Sequence, residues 1–220
     1  MRIISSAEDL AAAVSTARQH GKQIGFVPTM GALHDGHISL VELARQSAEF
    51  VVVSIFVNPL QFAANEDFDK YPRNLQADAE KLAAVGVDVV FAPTVDEVYP
   101  NGDAITQHAG PVGKTFEGEV RPEHFDGMLT VVSRLFDLVK PDVVLFGQKD
   151  AQQVFLVRKL IERFYPQITL EVVSTNREAD GLARSSRNRY LSAAERTHAL
   201  ILSRALINLS LRLMSATSIG

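Results

Sequence analysis

Two histidines flank an Asp-Gly pair in the segment His34–His37, which has the pattern His-x-Gly-His. The apolar run 24–27 precedes it and apolar residues at helical spacing follow it, so it is predicted to be a turn between a strand and a helix. A helix N-terminus presents backbone N–H groups and a positive dipole to an anion, and two imidazoles there can each donate to a phosphate oxygen. The pattern therefore indicates phosphate chemistry. The alternative is that the two histidines only cap the helix.

Other common phosphate and metal motifs do not occur in this sequence. It has neither the GxxxxGK(S/T) pattern of a P-loop nor the GxGxxG pattern of a dinucleotide-binding turn. The two histidines are not spaced as in HExxH, and a sequence without cysteine cannot supply thiolate ligands to zinc. Zinc, P-loop and dinucleotide sites are therefore not predicted, and the sequence leaves the metal ligands unknown.

Two further segments carry groups that suit a nucleotide. Gly147–Asp150 lies between a predicted strand and helix, where Lys149 can reach a phosphate and Gly147 permits backbone contact with a sugar. Asp150 can hold a ribose hydroxyl or simply cap the helix. The basic, hydroxyl-rich segment Arg184–Arg189 can wrap a triphosphate and close over it, or it can be a solvated linker.

Neutral amides and carboxylates complete the candidate polar groups. Gln61 and Gln153 can donate and accept hydrogen bonds without adding charge, which suits a substrate with hydroxyl and carboxylate groups. Taken alone, they would be ordinary surface glutamines. Four acidic side chains could bind magnesium or the groups around it: Glu66, Asp67, Asp69 and Asp78. Acidic side chains of this kind are more often simply solvated.

Alternating apolar strands and amphipathic helices must position these groups. Periodicity predicts helices over 5–21, 37–48, 74–85, 125–140 and 151–164, and strands over 24–27, 50–57, 87–91, 143–146 and 168–173. Residues 93–123 are expected to mix loop with a short hairpin. This order predicts an α/β fold with a Rossmann-like, doubly wound parallel sheet. The segments 28–36, 58–62 and 147–150 would then meet at the carboxyl ends of the strands.

Composition and charge narrow the class of protein. The 220 residues are 46% apolar with a formal net charge of -4, which does not favour nucleic acid or an anionic membrane as a partner. Charged residues interrupt the N-terminal region where a signal peptide would need an apolar run, and the apolar run at 51–57 is too short to span a membrane. With the absence of cysteine, this predicts a soluble, cytoplasmic protein.

Five segments together resemble a known family, the pantothenate synthetases. They are PTMGALHDGH (28–37), FVNPLQF (56–62), RPEHFDGMLTVV (121–132), FGQKDAQQ (146–153) and DGLARSSRNRYL (180–191). The His-x-Gly-His pattern alone would indicate only the wider nucleotidylyltransferase superfamily. The resemblance implies condensation of pantoate with β-alanine through pantoyl adenylate, with ATP and Mg²⁺ as cofactors and a homodimer as the assembly.

The resemblance also implies roles for individual residues. His37 is expected to be a proton donor, with His34 and Lys149 as further catalytic groups. Gln61 and Gln153 are expected to bind pantoate, Gln61 is also associated with β-alanine, and Asn58, Arg121 and His124 lie near the site. The expected ATP-binding residues are Met30, Gly31, Ala32, Leu33, His34, Asp35, Gly36, His37, Gly147, Gln148, Lys149, Asp150, Asn176, Arg184, Ser185, Ser186 and Arg187.

The sequence departs from the family at three places. Asn176 stands where an apolar residue usually precedes an arginine, and Arg184 stands where Met or Leu is usual. Family members also continue into a small C-terminal domain that acts as a lid over the nucleotide. The resemblance thus divides the chain into a nucleotide- and pantoate-binding domain, 1–175, and an incomplete lid domain, 176–220. A chain of this extent is expected to bind ATP but to retain the adenylate poorly.

Two other functions remain open at this point. The first is a different His-x-Gly-His nucleotidylyltransferase, which would join a nucleotide to a phosphate acceptor. The second is a non-catalytic nucleotide-binding or dimerisation fragment, which would bind ATP without releasing pyrophosphate.

Overall fold

Six parallel strands form a single sheet at the centre of the described chain. The computed structural model describes residues 1–63, 66 and 68–217, with the backbone alone at positions 210, 211 and 213–217. The strands are β1 (Arg2–Ile4), β2 (Ile24–Thr29), β3 (Phe50–Ile55), β4 (Val89–Phe91), β5 (Val143–Gly147) and β6 (Thr169–Val173). Apolar and β-branched residues dominate these short segments, as expected for strands covered on both faces.

Helices connect the strands. They are α1 (Ala7–Gln19), α2 (Asp35–Ser47), α3 (Leu75–Ala84), α4 (Val95–Val98), α5 (Glu117–Val120), α6 (His124–Val139), α7 (Ala151–Phe164) and α8 (Ala193–Thr217). Short 3₁₀ helices occur at Pro59–Gln61, Gly110–Lys114, Gln148–Asp150 and Ser186–Tyr190. Within the described chain, none of the helices combines the length and the apolar content that crossing a membrane requires.

The strand order is β1-β4-β3-β2-β5-β6, and every pairing is parallel. From β2 the chain continues to β3 and β4 on one side, then crosses back to β5 and β6 on the other. The order therefore reverses between β2 and β5, and open α/β sheets bind ligands in the crevice outside such a reversal. The segments that follow β2 and β5 lie at this crevice.

Two apolar layers cover the sheet. One face packs against α1, α6 and α7, and the other packs against α2 and α3. Successive residues of β2 alternate between the layers, with Phe26 in the first and Val27 in the second, because side chains of a strand point to opposite faces. The predicted α/β fold with a parallel, doubly wound sheet is confirmed.

Two sequence-based expectations about the elements need correction. The edge strand β1 was not predicted, because three residues with Arg2 and Ile3 exposed give no clear alternation. The hairpin expected within 93–123 does not form; this range contains short helices and turns. Its backbone N–H groups at Thr106 and Gln107 donate instead to the Thr130 hydroxyl of α6, both at 3.1 Å, so a helix side chain takes the place of a partner strand.

The C-terminal part of the described chain is tied together by ion pairs. Arg196 of α8 lies 2.7 Å from Glu178 and 2.6 Å from Asp180, and an antiparallel bridge joins Arg177 to Ala183. Large apolar side chains of α8 are exposed at Ile201, Leu202, Leu206, Ile207 and Leu209. The division into domains at 175 and 176, with the start of a smaller C-terminal domain, stays a prediction.

Candidate active site

A cleft of about 270 Å³ opens at the reversal between β2 and β5. Its walls come from the segments after β2, β3, β5 and β6, so the predicted convergence of loops at one rim is confirmed. Most of the residues selected from the sequence line it: Met30, His34, Gly36, His37, Gln61, Gly147, Lys149, Asp150, Gln153, Asn176, Arg184, Ser185, Ser186 and Arg187.

Five of the expected ATP-binding residues do not line the cleft: Gly31, Ala32, Leu33, Asp35 and Gln148. Gly31–Leu33 is buried behind the cleft, where the N–H groups of Ala32 and Leu33 each donate to the carboxylate of Asp78 at 2.8 Å. The N–H groups of Ala32 and Leu33 therefore bind an internal carboxylate, and the expected contact of this turn with ATP stays a prediction. Asp35 and Gln148 are exposed outside the cleft.

The two histidines are locked to the start of α2. His34 is the N-cap residue; its Nδ1 accepts the N–H of Gly36 at 3.2 Å, while Nδ1 of His37 accepts the N–H of His34 at 3.3 Å. The rings lie 4.1 Å apart between centroids. Because each Nδ1 accepts a backbone N–H, the proton of each neutral ring resides on Nε2. Capping and ligand binding are thus compatible here, since the same rings also line the cleft.

The surroundings of both histidines disfavour the charged form of the imidazole. Burial, followed by the charge of His34 and of Lys149, lowers the pKa of His37 to about 3. Burial, followed by the charges of Lys149 and Arg184, also lowers the pKa of His34. The site therefore holds two imidazoles that favour the neutral form, line the cleft and carry their proton on Nε2. The expected proton donation by His37 stays a prediction.

The start of α7 is built differently from the start of α2. Asp150 occupies the N-cap position, yet its side chain makes no capping hydrogen bond among the described residues; the possible role as a helix cap is therefore wrong. Its Oδ1 instead lies 3.1 Å from the Lys149 ammonium. Lys149 thus carries a positive charge to the rim of the cleft, beside a helix N-terminus without a side-chain cap.

Gln61 is oriented by a buried amide. Asn58 donates from Nδ2 to Oε1 of Gln61 at 3.1 Å and to the backbone carbonyl of Gly127, and its Oδ1 accepts the Tyr99 hydroxyl at 2.8 Å. Because Oε1 of Gln61 is occupied, its Nε2 is directed at Met30 and the cleft. A side chain at Gly127 would lie 1.9 Å from the carbonyl oxygen of Leu60, so only glycine allows this close approach.

Arg121 and the side chains that it contacts line the cleft beside Gln61. Arg121 contacts both oxygens of Glu66, at 2.7 and 2.6 Å, and Oε1 of Glu117 at 2.9 Å. The hydrogen bond from Arg121 lowers the pKa of Glu66. His124 is buried and its Nδ1 contacts the backbone carbonyl of Gln61 at 2.8 Å. Arg121 and His124 thus lie at the site, as expected from the resemblance.

The segment after β6 covers the other wall. Arg184 donates to the Asn176 side chain at 2.9 Å and pairs with Asp35 at 3.0 Å, so the two residues that depart from the family contact each other. The Arg187 guanidinium stacks over the Tyr71 ring at 5.7 Å. This aromatic side chain, buried at the end of the 58–73 loop, was not singled out in the sequence because a lone tyrosine carries no pattern.

A model of the pantoate-beta-alanine ligase family matches residues 2–218. The chain belongs to this family.

Named relatives agree with that assignment. The pantothenate synthetase of Nocardioides sp. is 55% identical over 207 residues, covering 91% of this chain and 62% of that protein. The pantothenate synthetase of Acidothermus cellulolyticus is 57% identical over 183 residues, covering 83% and 60% respectively. The chain therefore spans about three fifths of the length of these curated relatives.

Solved structures of family members share the fold. The pantothenate synthetase of Thermus thermophilus superposes with a TM-score of 0.90 at 47% identity, covering 99% of this chain and 77% of that one. A pantoate-β-alanine ligase of Francisella tularensis, solved with β-γ ATP and β-alanine, gives a TM-score of 0.86 at 39% identity, covering 93% and 78%.

A second cavity of about 160 Å³ adjoins the main cleft. The two share walls at Met30, His37, Gln61 and Gln153. The floor of the second cavity is apolar and consists mainly of Phe56, Met128, Val131, Val132, Leu135 and Phe146. Such a space accepts a small branched aliphatic group, with amides at its entrance for oxygen atoms.

The described residues contain no group of three or more His, Asp or Glu side chains that could hold a metal ion. Of the acidic candidates, Glu66 is paired with Arg121 and Asp78 with two backbone N–H groups, while Asp69 is exposed and does not line the cleft. Asp67 lies outside the described residues. The acidic residues that line the cleft are Glu117 and Asp150.

Proposed function

We propose that this chain condenses pantoate with β-alanine in an ATP-dependent reaction that passes through pantoyl adenylate. One observation carries the proposal: the cleft that contains the two histidines and Lys149 shares His37 with a cavity that has an apolar floor and two glutamine amides. This arrangement suits the joining of a nucleotide phosphate to a small, branched carboxylic acid.

The nucleotide phosphates occupy the main cleft. The Nε2–H groups of His34 and His37 donate to phosphate oxygens from one side, and Lys149 supplies a positive charge from the other. Ser185, Ser186 and Arg187 line the opposite wall and supply further donors. Neutral imidazoles can enter a buried site at a lower desolvation cost than imidazolium ions, which supports hydrogen bonding as their ground-state role.

Pantoate occupies the second cavity. Its branched carbon skeleton packs against the apolar floor, and its hydroxyl and carboxylate groups meet the amides of Gln61 and Gln153. The orientation of Gln61 by Asn58 presents an N–H donor, which matches a carboxylate. The carboxylate then lies next to the phosphate-binding wall at His37, where an α-phosphorus can be attacked.

The reaction has two steps. In the first, a pantoate carboxylate oxygen attacks the α-phosphorus of ATP, and the bond to the β-phosphate oxygen breaks to release pyrophosphate. In the second, the amine of β-alanine attacks the acyl carbon, AMP leaves with the shared electron pair, and the nitrogen loses a proton. Positioning and electrostatic stabilisation by Lys149, His34 and His37 account for the protein's part in the first step.

β-Alanine enters beside Gln61. This side of the cleft is lined by Arg121, Glu117 and His124. Charges of both signs suit a zwitterionic amino acid. That a relative from Francisella tularensis was solved with β-γ ATP and β-alanine supports both small molecules as ligands of this fold.

Three further properties rest on the family resemblance. Mg²⁺ would accompany the triphosphate and neutralise part of its charge, and Asp150, which lines the cleft, would be a carboxylate available to it. The assembly would be a homodimer, and the location would be the cytoplasm.

The test is to incubate the 220-residue chain with Mg-ATP and pantoate, with and without β-alanine, and to follow pyrophosphate, AMP and acylated products. The proposal expects pyrophosphate release that requires pantoate, and free AMP with pantothenate only when β-alanine is present. A nucleotide joined to a phosphate acceptor would support another nucleotidylyltransferase instead. ATP binding without pyrophosphate release would support a non-catalytic fragment.

A further inference from the structure

We propose that Asp78 and Lys81 of α3 are positioning residues of the adenylation site. They hold the backbone of Gly31–Leu33 in a conformation that places His34 and His37 for the phosphates. The inference rests on the proposed function for its kinetic consequence, but the geometry of the two histidines can be tested without any substrate.

The turn before the histidines has an unusual backbone. Gly31 and Ala32 adopt φ values of +81° and +50°, so two successive residues lie in the left-handed region. Glycine tolerates this conformation, but alanine rarely adopts it, because its Cβ approaches the following carbonyl. A strained, buried conformation of this kind persists only where the surroundings hold it in place.

The carboxylate of Asp78 holds this turn in its conformation. Its Oδ2 accepts the N–H of Ala32 and its Oδ1 accepts the N–H of Leu33, both at 2.8 Å. Successive backbone N–H groups in such a turn form a concave anion-binding arrangement, and here the anion is a side chain of the same protein. Asp78 is 3% exposed, and both of its oxygens are engaged, which directs it to the turn and away from the cleft.

Lys81 holds the next peptide group, which joins Leu33 to His34. One helical turn after Asp78, its ammonium donates to the carbonyl of Leu33 at 2.5 Å. Both polar groups of Leu33 are therefore fixed by α3. The next residue, His34, has the extended N-cap conformation, from which its ring reaches the N–H of Gly36.

The consequence is a chain of contacts from α3 to the reacting groups. Asp78 and Lys81 fix Leu33, Leu33 fixes the start of His34, and the reciprocal contacts of His34 and His37 fix both rings. The rings need this support because a misplacement of about 1 Å in a site that works by positioning can slow a reaction by roughly 100-fold.

The experiment compares Asp78→Asn with Glu80→Gln, a matched carboxylate-to-amide change on the exposed side of the same helix. Asparagine keeps one acceptor and turns a donor towards the second N–H, so the turn loses its support. The ¹⁵N and ¹H imidazole resonances of His34 and His37 report the tautomer in the free protein. The wild type and E80Q are expected to show the Nε2–H form, and D78N a mixture of tautomers.

The kinetic readout is pyrophosphate release with pantoate and Mg-ATP. D78N is expected to lower kcat by about 10- to 100-fold with a smaller change in KM for ATP, whereas E80Q leaves both unchanged. A folded D78N with wild-type imidazole resonances overturns the proposal, whatever its activity. A wild-type chain that releases no pyrophosphate contradicts the proposed function instead, and leaves the imidazole resonances to decide this inference.

A second variant tests the proposal if D78N does not fold. Lys81→Met removes a largely exposed side chain and one of the three contacts, so it is expected to fold and to shift the His34 resonances towards a tautomer mixture. The tautomer is the decisive quantity, because removal of this charge also raises the pKa of both histidines. If D78N does not fold, unchanged imidazole resonances in K81M overturn the proposal.

Discussion

The junction from β2 to α2 and the junction from β5 to α7 flank the same crevice, yet they are completed in opposite ways. At the first, His34 and His37 cap the helix start and the backbone behind them binds Asp78. At the second, no described side chain caps the helix, and Lys149 brings a positive charge. One junction is closed by its own side chains and the other remains open to a ligand.

The difference shows how similar local patterns can serve different purposes. Both junctions follow a buried strand, contain a glycine and precede a helix, so both predict anion binding. The first contributes neutral, fixed donors, since burial depresses the pKa of both histidines. The second contributes the charge of Lys149 beside a helix start that no described side chain caps. A triphosphate between them would meet directional hydrogen bonds on one side and Coulomb attraction on the other.

The largest effect is expected from the first junction. His37→Ala should lower kcat for pantoate-dependent pyrophosphate release by about 10²- to 10³-fold, because it removes a fixed donor to charge that develops in the transition state. His37→Gln retains an N–H donor at a similar reach and should lose roughly tenfold less. The exposed His198→Ala is the control. If the glutamine variant is as slow as the alanine variant, proton transfer by His37 is the better explanation.

A smaller effect on a different parameter is expected from the second junction. Lys149→Met should raise KM for ATP by roughly tenfold with a lesser change in kcat, since a point charge attracts bound phosphates before and during reaction. Added salt should weaken ATP binding more in the wild type than in the variant. Lys159→Met, on the exposed surface of α7, is the control. Equal loss of kcat in K149M and H37A would remove the distinction between the junctions.

The burial of the histidines predicts a pH dependence of folding. Both folded pKa values are lowered from 6.5, that of His37 to about 3, so the unfolded chain binds protons first as the pH falls. The stability that the neutral His37 contributes above pH 6.5 therefore declines towards pH 3. Between pH 6.5 and 5 the wild type should lose roughly 1–2 kcal/mol more than H37Q. Urea unfolding at both pH values measures this difference. Parallel losses in the two proteins would contradict a neutral His37.

The smallest effect concerns capping. Removing the His34 cap in His34→Ala should destabilise the fold by about 1 kcal/mol, whereas Asp150→Ala should change stability by less than about 0.5 kcal/mol, because Asp150 makes no capping bond. Chemical denaturation at neutral pH provides the comparison. A D150A variant as unstable as H34A would show that the second junction is closed in solution.

Much of the site followed from the sequence because parallel topology is predictable from local patterns. Each short apolar strand and the amphipathic helix after it are separate local signals, and parallel pairing then brings the segments after the strands to one edge. His34, Gln61 and Lys149, which lie in or next to three of these segments, do line one cleft. Their individual bonding partners were not predictable, since most of them come from distant parts of the chain.

Asp78 illustrates this limit. It lies more than 40 residues from the turn that it supports, and in the sequence its carboxylate looks like any other acidic group on a helix. From the sequence it was a candidate magnesium ligand; in the fold it accepts two backbone N–H groups. The same holds for Tyr71 against Arg187 and for Asn58 behind Gln61.

The sequence by itself determined which residue types exist, their local elements and the end of the sheet at which the chemistry lies, because these depend on hydrophobic periodicity and on short motifs. Tertiary structure decided which junction is capped, which histidine nitrogen carries the proton, and which backbone groups remain for a ligand. Those properties depend on burial and on contacts between distant segments. The His-x-Gly-His pattern therefore predicted phosphate chemistry, and the fold showed two neutral donors held in place from α3.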